Sequence, residues 1–123
     1  MLNGIKILIV EDDTSSKLYL NKILEKAGAI ILNASDGLEA FELSMKNIDI
    51  DIILMDIQLP VMDGFTAARK IREIQPTTKI IAQTAYGLTS DLDEIINSGF
   101  DDYIIKPIFS EQLLAKIDKI LKT

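Results

Sequence analysis

Two hydrophobic periods alternate along the 123-residue chain. Short runs rich in β-branched residues, at 5–10, 29–33, 50–55, 79–84 and 102–105, are bounded by polar or turn residues. Runs of that length and composition predict buried β-strands. Between them apolar residues recur every three or four positions. The first such stretch carries Leu20, Ile23, Leu24 and Ala27. The second carries Leu38, Phe41, Met45 and Ile48, and opens with Asp36 followed three residues later by Glu39, a capping-box-like start. The third carries Ala67, Ile71 and Ile74 and stops before Pro76. The fourth carries Leu88, Leu92, Ile95 and Ile96, with Gly99 as its stop. The fifth starts near Ser110 and carries Leu113, Ile117, Ile120 and Leu121. Strands and helices in such strict alternation predict an α/β fold, (βα)5, with a parallel sheet covered by helices on both faces.

Composition narrows the chemistry. A length of 123 residues predicts one domain, 1–123, able to bury a core without staples. With 48% hydrophobic residues, three prolines and six glycines, the chain reads as globular. It has no cysteine, which excludes disulfides and thiolate metal sites, and no histidine, which excludes a Ser-His-Asp triad and a His-ligated zinc. The net charge of -6, with scattered basic residues, lacks the footprint of a nucleic-acid binder. No apolar run reaches the roughly 18 residues of a membrane span, and no signal peptide is legible, so cytoplasmic residence is the expectation.

In open parallel sheets the ligand site lies beyond the carboxyl ends of the strands. Strand one ends in Glu11-Asp12-Asp13, strand three in Met55-Asp56, strand four in Gln83-Thr84-Ala85 and strand five in Ile105-Lys106-Pro107. Carboxylates gathered at one edge repel each other and call for a cation, and magnesium favours oxygen donors. Lys106 adds a second positive charge and Thr84 a hydrogen-bond donor. An aspartate facing these groups is suited to attack phosphorus. Each residue also has an ordinary use: Asp12 or Asp13 as a helix cap, Asp56 as a turn residue before Pro60, Thr84 and Lys106 as surface, Asp63-Gly64 as a turn or cap. The specificity lies in their combination in chain order.

That combination resembles the CheY-like receiver domain of response regulators over essentially the whole chain. The segments that carry the resemblance are Lys6-Ile-Leu-Ile-Val-Glu-Asp-Asp13, Ile53-Leu-Met-Asp-Ile-Gln-Leu-Pro-Val-Met-Asp-Gly64, Ile81-Ala-Gln-Thr-Ala85 and Gly99-Phe-Asp-Asp-Tyr-Ile-Ile-Lys-Pro107. The resemblance implies a flavodoxin-like αβα sandwich with strand order 2-1-3-4-5. It implies Asp56 as phosphoacceptor, Asp12 as a direct magnesium ligand, Glu11 acting through water, and the Gln58 carbonyl as a further ligand. Thr84 and Lys106 would contact the phosphoryl oxygens, Tyr103 would be the aromatic switch, and the Lys106-Pro107 bond would be cis. Glu11 stands where aspartate is commoner.

A histidine kinase or histidine phosphotransfer protein is the implied partner. The implied output face comprises the fourth helix, fifth strand and fifth helix, from about Leu88 to Leu121, where a partner or a second copy would bind. No nucleic-acid or membrane partner and no enzymatic turnover are expected. Gln58 and Tyr86 would flank the water that hydrolyses the acyl phosphate, with Tyr86 obstructing it. The segments at 58–64 and 101–108 resemble receivers of hybrid kinases, and the chain is expected to be such a receiver, a stand-alone regulator or part of a longer one. A haloacid-dehalogenase-like phosphatase would need a second aspartate at position 58, where Gln58 stands. A nucleotide-binding module would need a glycine-rich loop after strand one, where the chain is acidic. A pseudo-receiver scaffold would not require the intact acidic, threonine and lysine set.

Overall fold

The computed structural model describes residues 1–85 and 89–122. Tyr86, Gly87 and Leu88 lie outside the described residues, and with them the expectations placed on the Tyr86 ring, on a loop containing Gly87 and on Leu88 as part of the fourth helix face.

Ten elements alternate as expected: β1 (Lys6–Val10), α1 (Thr14–Lys26), β2 (Ile30–Ala34), α2 (Gly37–Lys46), β3 (Ile52–Asp56), α3 (Gly64–Ile74), β4 (Lys79–Thr84), α4 (Thr89–Asn97), β5 (Asp102–Ile105) and α5 (Ser110–Leu121). All pairings are parallel, in the order β2-β1-β3-β4-β5. Alternation along each strand feeds two cores. Ile7, Ile9, Ile52, Leu54, Ile81 and Ile104 pack under Leu20 and Leu24 of α1 and Leu113 and Ile117 of α5. Leu8, Val10, Ile53, Met55, Ile80 and Ala82 pack under Ala40 of α2, Ala67, Ala68 and Ile71 of α3, and Ile95 of α4. Three layers result, with α1 and α5 on one face of the sheet.

Three expectations need correction. The run at 29–33 is not a buried strand. β2 lies at the sheet edge and leaves Ile30 exposed, because β1 pairs with β3 on its other side. Of the apolar stripe assigned to α2, only Phe41 packs against the core. Leu38, Met45 and Ile48 are exposed, Ile48 lying beyond the helix and 82% exposed, while Gly37, Ala40 and Ser44 are buried. Small residues let this helix approach its neighbours closely, which displaces the large ones toward solvent. Ile74 and Ile96, counted on the inner faces of α3 and α4, are also exposed.

The helix signals are realised in detail. Asp36 accepts the Glu39 N–H at 2.8 Å, and Glu39 reaches back to the Ser35 N–H at 2.6 Å. Gly99, after α4, holds φ at +92°, in the left-handed region that glycine tolerates.

Candidate phosphoacceptor site at the carboxyl edge of the sheet

The carboxyl ends of β1, β3, β4 and β5 converge on one cleft. Asp56 is the last residue of β3 and is 6% exposed. Glu11 follows β1 directly, its N–H bound to the Ala34 carbonyl at 3.0 Å, and is 1% exposed. Asp12 is exposed beside it. Carboxylate oxygens of Glu11, Asp12 and Asp56 all lie within 4.8 Å of one another. The choice between Asp12 and Asp13 as helix cap is settled by geometry: Asp13 accepts the Ser16 N–H at 2.8 Å and caps α1, which leaves Asp12 to the cluster.

Lys106 reaches the carboxylates from β5, its Nζ 2.9 Å from Asp56 Oδ2 and 3.3 Å from Glu11 Oε1. Its backbone N–H donates to the Thr84 carbonyl at 2.7 Å, which ties the end of β5 to the end of β4. The Lys106-Pro107 bond is cis, as the resemblance implied. Thr84 is buried at the end of β4. The Gln58 N–H donates to Asp56 Oδ1 at 2.9 Å, which fixes the carboxylate from the loop after β3. That loop closes where the Gly64 N–H meets the Ile57 carbonyl at 3.1 Å, and a Cβ on Gly64 would stand 2.5 Å from the Asp56 carbonyl oxygen. Only glycine permits that approach. Tyr103 lies farther along β5, partly buried against the second core, with Lys116 Nζ 5.0 Å above its ring.

The electrostatics follow from crowding. Burial pushes the Glu11 carboxyl above the ordinary carboxylate range and the Asp56 charge adds to it, while the Asp13 N–H and Lys106 oppose the shift. Burial alone would lower Lys106, but its hydrogen bond to Asp56 and the charges of Asp56 and Glu11 outweigh it and hold the ammonium above its usual value. Oxygen donors this close, two of them from buried acids, suit a hard divalent cation.

Sequence reasoning missed the walls of the site. A cleft of about 580 Å³ opens between α1 and the segment after β5, with Glu11, Gln83 and Lys106 alongside Tyr19 and Phe109. The Tyr19 hydroxyl donates to the Ile108 carbonyl at 2.7 Å and joins the two walls. Nothing in the helical period of α1 singles out Tyr19. Gln83 had a signal, as a polar residue in an apolar strand beside Thr84.

Residues 7–118 match the response regulator receiver domain family. The transcriptional regulatory protein SrrA of Staphylococcus aureus is 39% identical over 117 residues, covering 95% of this chain and 48% of SrrA, so the chain spans about half the length of the curated relatives it matches. A two-component response regulator from Clostridium difficile superposes with a TM-score of 0.91 at 35% identity, covering 97% of each chain. The receiver domain of the sensor histidine kinase PA1611 from Pseudomonas aeruginosa, solved with a magnesium ion coordinated in its active site cleft, gives 0.88 at 32% identity, covering 98% of this chain and 99% of that one. With its strand order, its carboxyl-edge cluster and the length of the match, the chain belongs to the response regulator receiver domain family.

Proposed function

We propose that Asp56 accepts a phosphoryl group from a phosphohistidine on a histidine kinase or phosphotransfer protein. The observation that carries this reading is the geometry around Asp56: an almost fully buried carboxylate at a strand end, held by Lys106 at 2.9 Å and adjoined by two further acids. In the transfer an Asp56 carboxylate oxygen forms the O–P bond as the donor N–P bond breaks, and the released imidazole takes up a proton. Glu11 and Asp12, with Asp56 and the Gln58 carbonyl, would hold magnesium, which supplies positive charge opposite the equatorial phosphoryl oxygens. Lys106 orients Asp56 and offsets charge from the other side, and Thr84 would donate to a phosphoryl oxygen.

The chain then acts as a switch and not as a turnover enzyme, and cytoplasmic action goes with that role. Its output face would be α4-β5-α5, with Thr84 and Tyr103 coupling it to the site and a partner or second copy binding there. By strand alternation and register Tyr103 and Thr84 share one face of the sheet, Ala82 being paired with Tyr103 and lying two residues before Thr84. Intact-mass measurement with a small phosphoryl donor such as acetyl phosphate and magnesium tests the reading. One added phosphoryl group is expected on the wild type and none on Asp56→Asn. Undiminished labelling of the variant at this site would refute the assignment.

A further inference from the structure

We propose that Lys116 is a positioning residue for Tyr103: from α5 its ammonium reaches round the open edge of β5 and holds the Tyr103 ring where it lies, so that it sets how readily the ring moves. The proposal deepens the reading of Tyr103 as the residue that couples Asp56 to the output face, and rests on that reading for its role in signalling. β5 is the last strand of the sheet and pairs with β4 on one side. Side chains meet the Tyr103 backbone. Its N–H donates to Asp102 Oδ1 at 2.8 Å, and its carbonyl accepts from Lys116 Nζ at 2.7 Å. The same ammonium lies 3.3 Å from Asp102 Oδ1 and 5.0 Å from the centroid of the Tyr103 ring. One ammonium is thus fixed by three groups of two adjacent residues.

Strand alternation makes that placement informative. Ile104 faces the core under α1 and α5, whereas Tyr103 packs against the core under α2, α3 and α4. Helix α5 buries Leu113, Ile117 and Ile120 on the Ile104 side. Lys116 therefore crosses the open edge to meet a ring on the opposite face of the sheet. Closing the edge to another strand needs no ring, because the bonds to Asp102 and to the Tyr103 carbonyl already do that. The ammonium also stands within the roughly 6 Å over which a ring face attracts a cation.

A contact made in one state and broken in another biases the equilibrium between them by its own worth. In this structure Asp56 is a carboxylate paired with Lys106, and the Tyr103 ring lies under Lys116. A ring that turns toward Thr84 when Asp56 is modified leaves the ammonium behind. Lys116 then opposes the turn. By linkage, releasing the ring tightens binding of a phosphoryl group, or of its mimic, by the same factor. The worth of a partly exposed cation–π contact corresponds to a factor of roughly two to five.

Titration of the full chain with beryllofluoride, a phosphoryl mimic, at saturating magnesium tests this. Lys116→Gln keeps a donor for the Tyr103 carbonyl and removes the charge. It is expected to bind the mimic roughly two- to fivefold more tightly than wild type. Lys116→Arg should stay at the wild-type value, because a guanidinium keeps a cation over the ring. On a Tyr103→Leu background Lys116→Gln should bring no gain, since the ring it released is gone. Unchanged or weaker binding by Lys116→Gln, the same gain in Lys116→Arg, or an equal gain without the ring overturns the proposal. A second arm reads the ring directly, without the mimic. The NMR signals of the Tyr103 ring protons are expected to shift in Lys116→Gln and to stay in place in Lys116→Arg. Ring signals that ignore Lys116→Gln also overturn the proposal. Should the wild type bind no beryllofluoride, the phosphoacceptor reading falls, and the ring signals still decide whether Lys116 positions Tyr103.

Discussion

At the scale of single residues the site is a balance between two buried acids and one lysine. Lys106 is the cation that reaches both Glu11 and Asp56. Replacing it leaves the carboxylates facing each other, and Glu11, already raised by burial, rises further. An acid whose folded value lies above its unfolded one binds more protons in the native state, so its contribution to stability grows as pH falls through the folded value and shrinks as pH rises. Lys106→Met is therefore expected to destabilise the protein near neutral pH by on the order of 1–2 kcal/mol, below the full cost of breaking a buried pair because the lysine is partly exposed. The deficit should narrow as pH is lowered toward 5. Urea denaturation across that range checks it, and a deficit independent of pH would show that Glu11 does not carry the effect. For wild-type Lys106 the sign is opposite: its raised value contributes stability below the unfolded lysine range that is lost as pH climbs through the folded value.

At the scale of elements, caps and side-chain clamps place the strand ends. Asp63 caps α3 by accepting the Thr66 N–H at 2.9 Å, and that bond holds its carboxyl below the ordinary range. Asp63→Ala is expected to cost about 1 kcal/mol, while Asp63→Asn keeps most of the cap. A lowered acid stabilises above its unfolded value and stops doing so as pH falls through the folded one, so the gap between wild type and Asp63→Ala should close at strongly acidic pH. Thermal melts from pH 7 downward test this, and a gap that widens on acidification would contradict it. Arg72 clamps α3 to the segments around β4: it donates to the Thr78 carbonyl at 2.6 Å and the Gly99 carbonyl at 2.8 Å, and pairs with Asp101 at 2.6 Å. Asp101 in turn accepts the Ile80 N–H at 2.8 Å. Periodicity identified the helix α2 but placed only Phe41 of its stripe on the packed side, because Gly37, Ala40 and Ser44 pack by being small and carry almost no hydropathy signal.

At the scale of the whole molecule, an acidic chain of net charge -6 concentrates three carboxylates at one edge of its sheet, so cation binding should feed into global stability. A ligand that binds only the folded state adds about 2.7 kcal/mol at a hundred times its dissociation constant. Magnesium is expected to raise the melting temperature by several degrees at constant ionic strength, and Asp12→Ala to lose most of that rise. An equal rise with sodium, or one that survives Asp12→Ala, would remove Glu11, Asp12 and Asp56 from the metal site. The alternation of elements was legible in the chain alone, because strand and helix periods are local properties. The strand ends that bear chemistry were legible too, because the topology sends Glu11, Asp12, Asp56, Thr84 and Lys106 to one edge. Which of Asp12 and Asp13 caps α1, which strands are edges and which face α2 buries were settled by the packed structure. Each of these depends on atoms brought together from distant parts of the chain, and a local pattern holds no information about such neighbours.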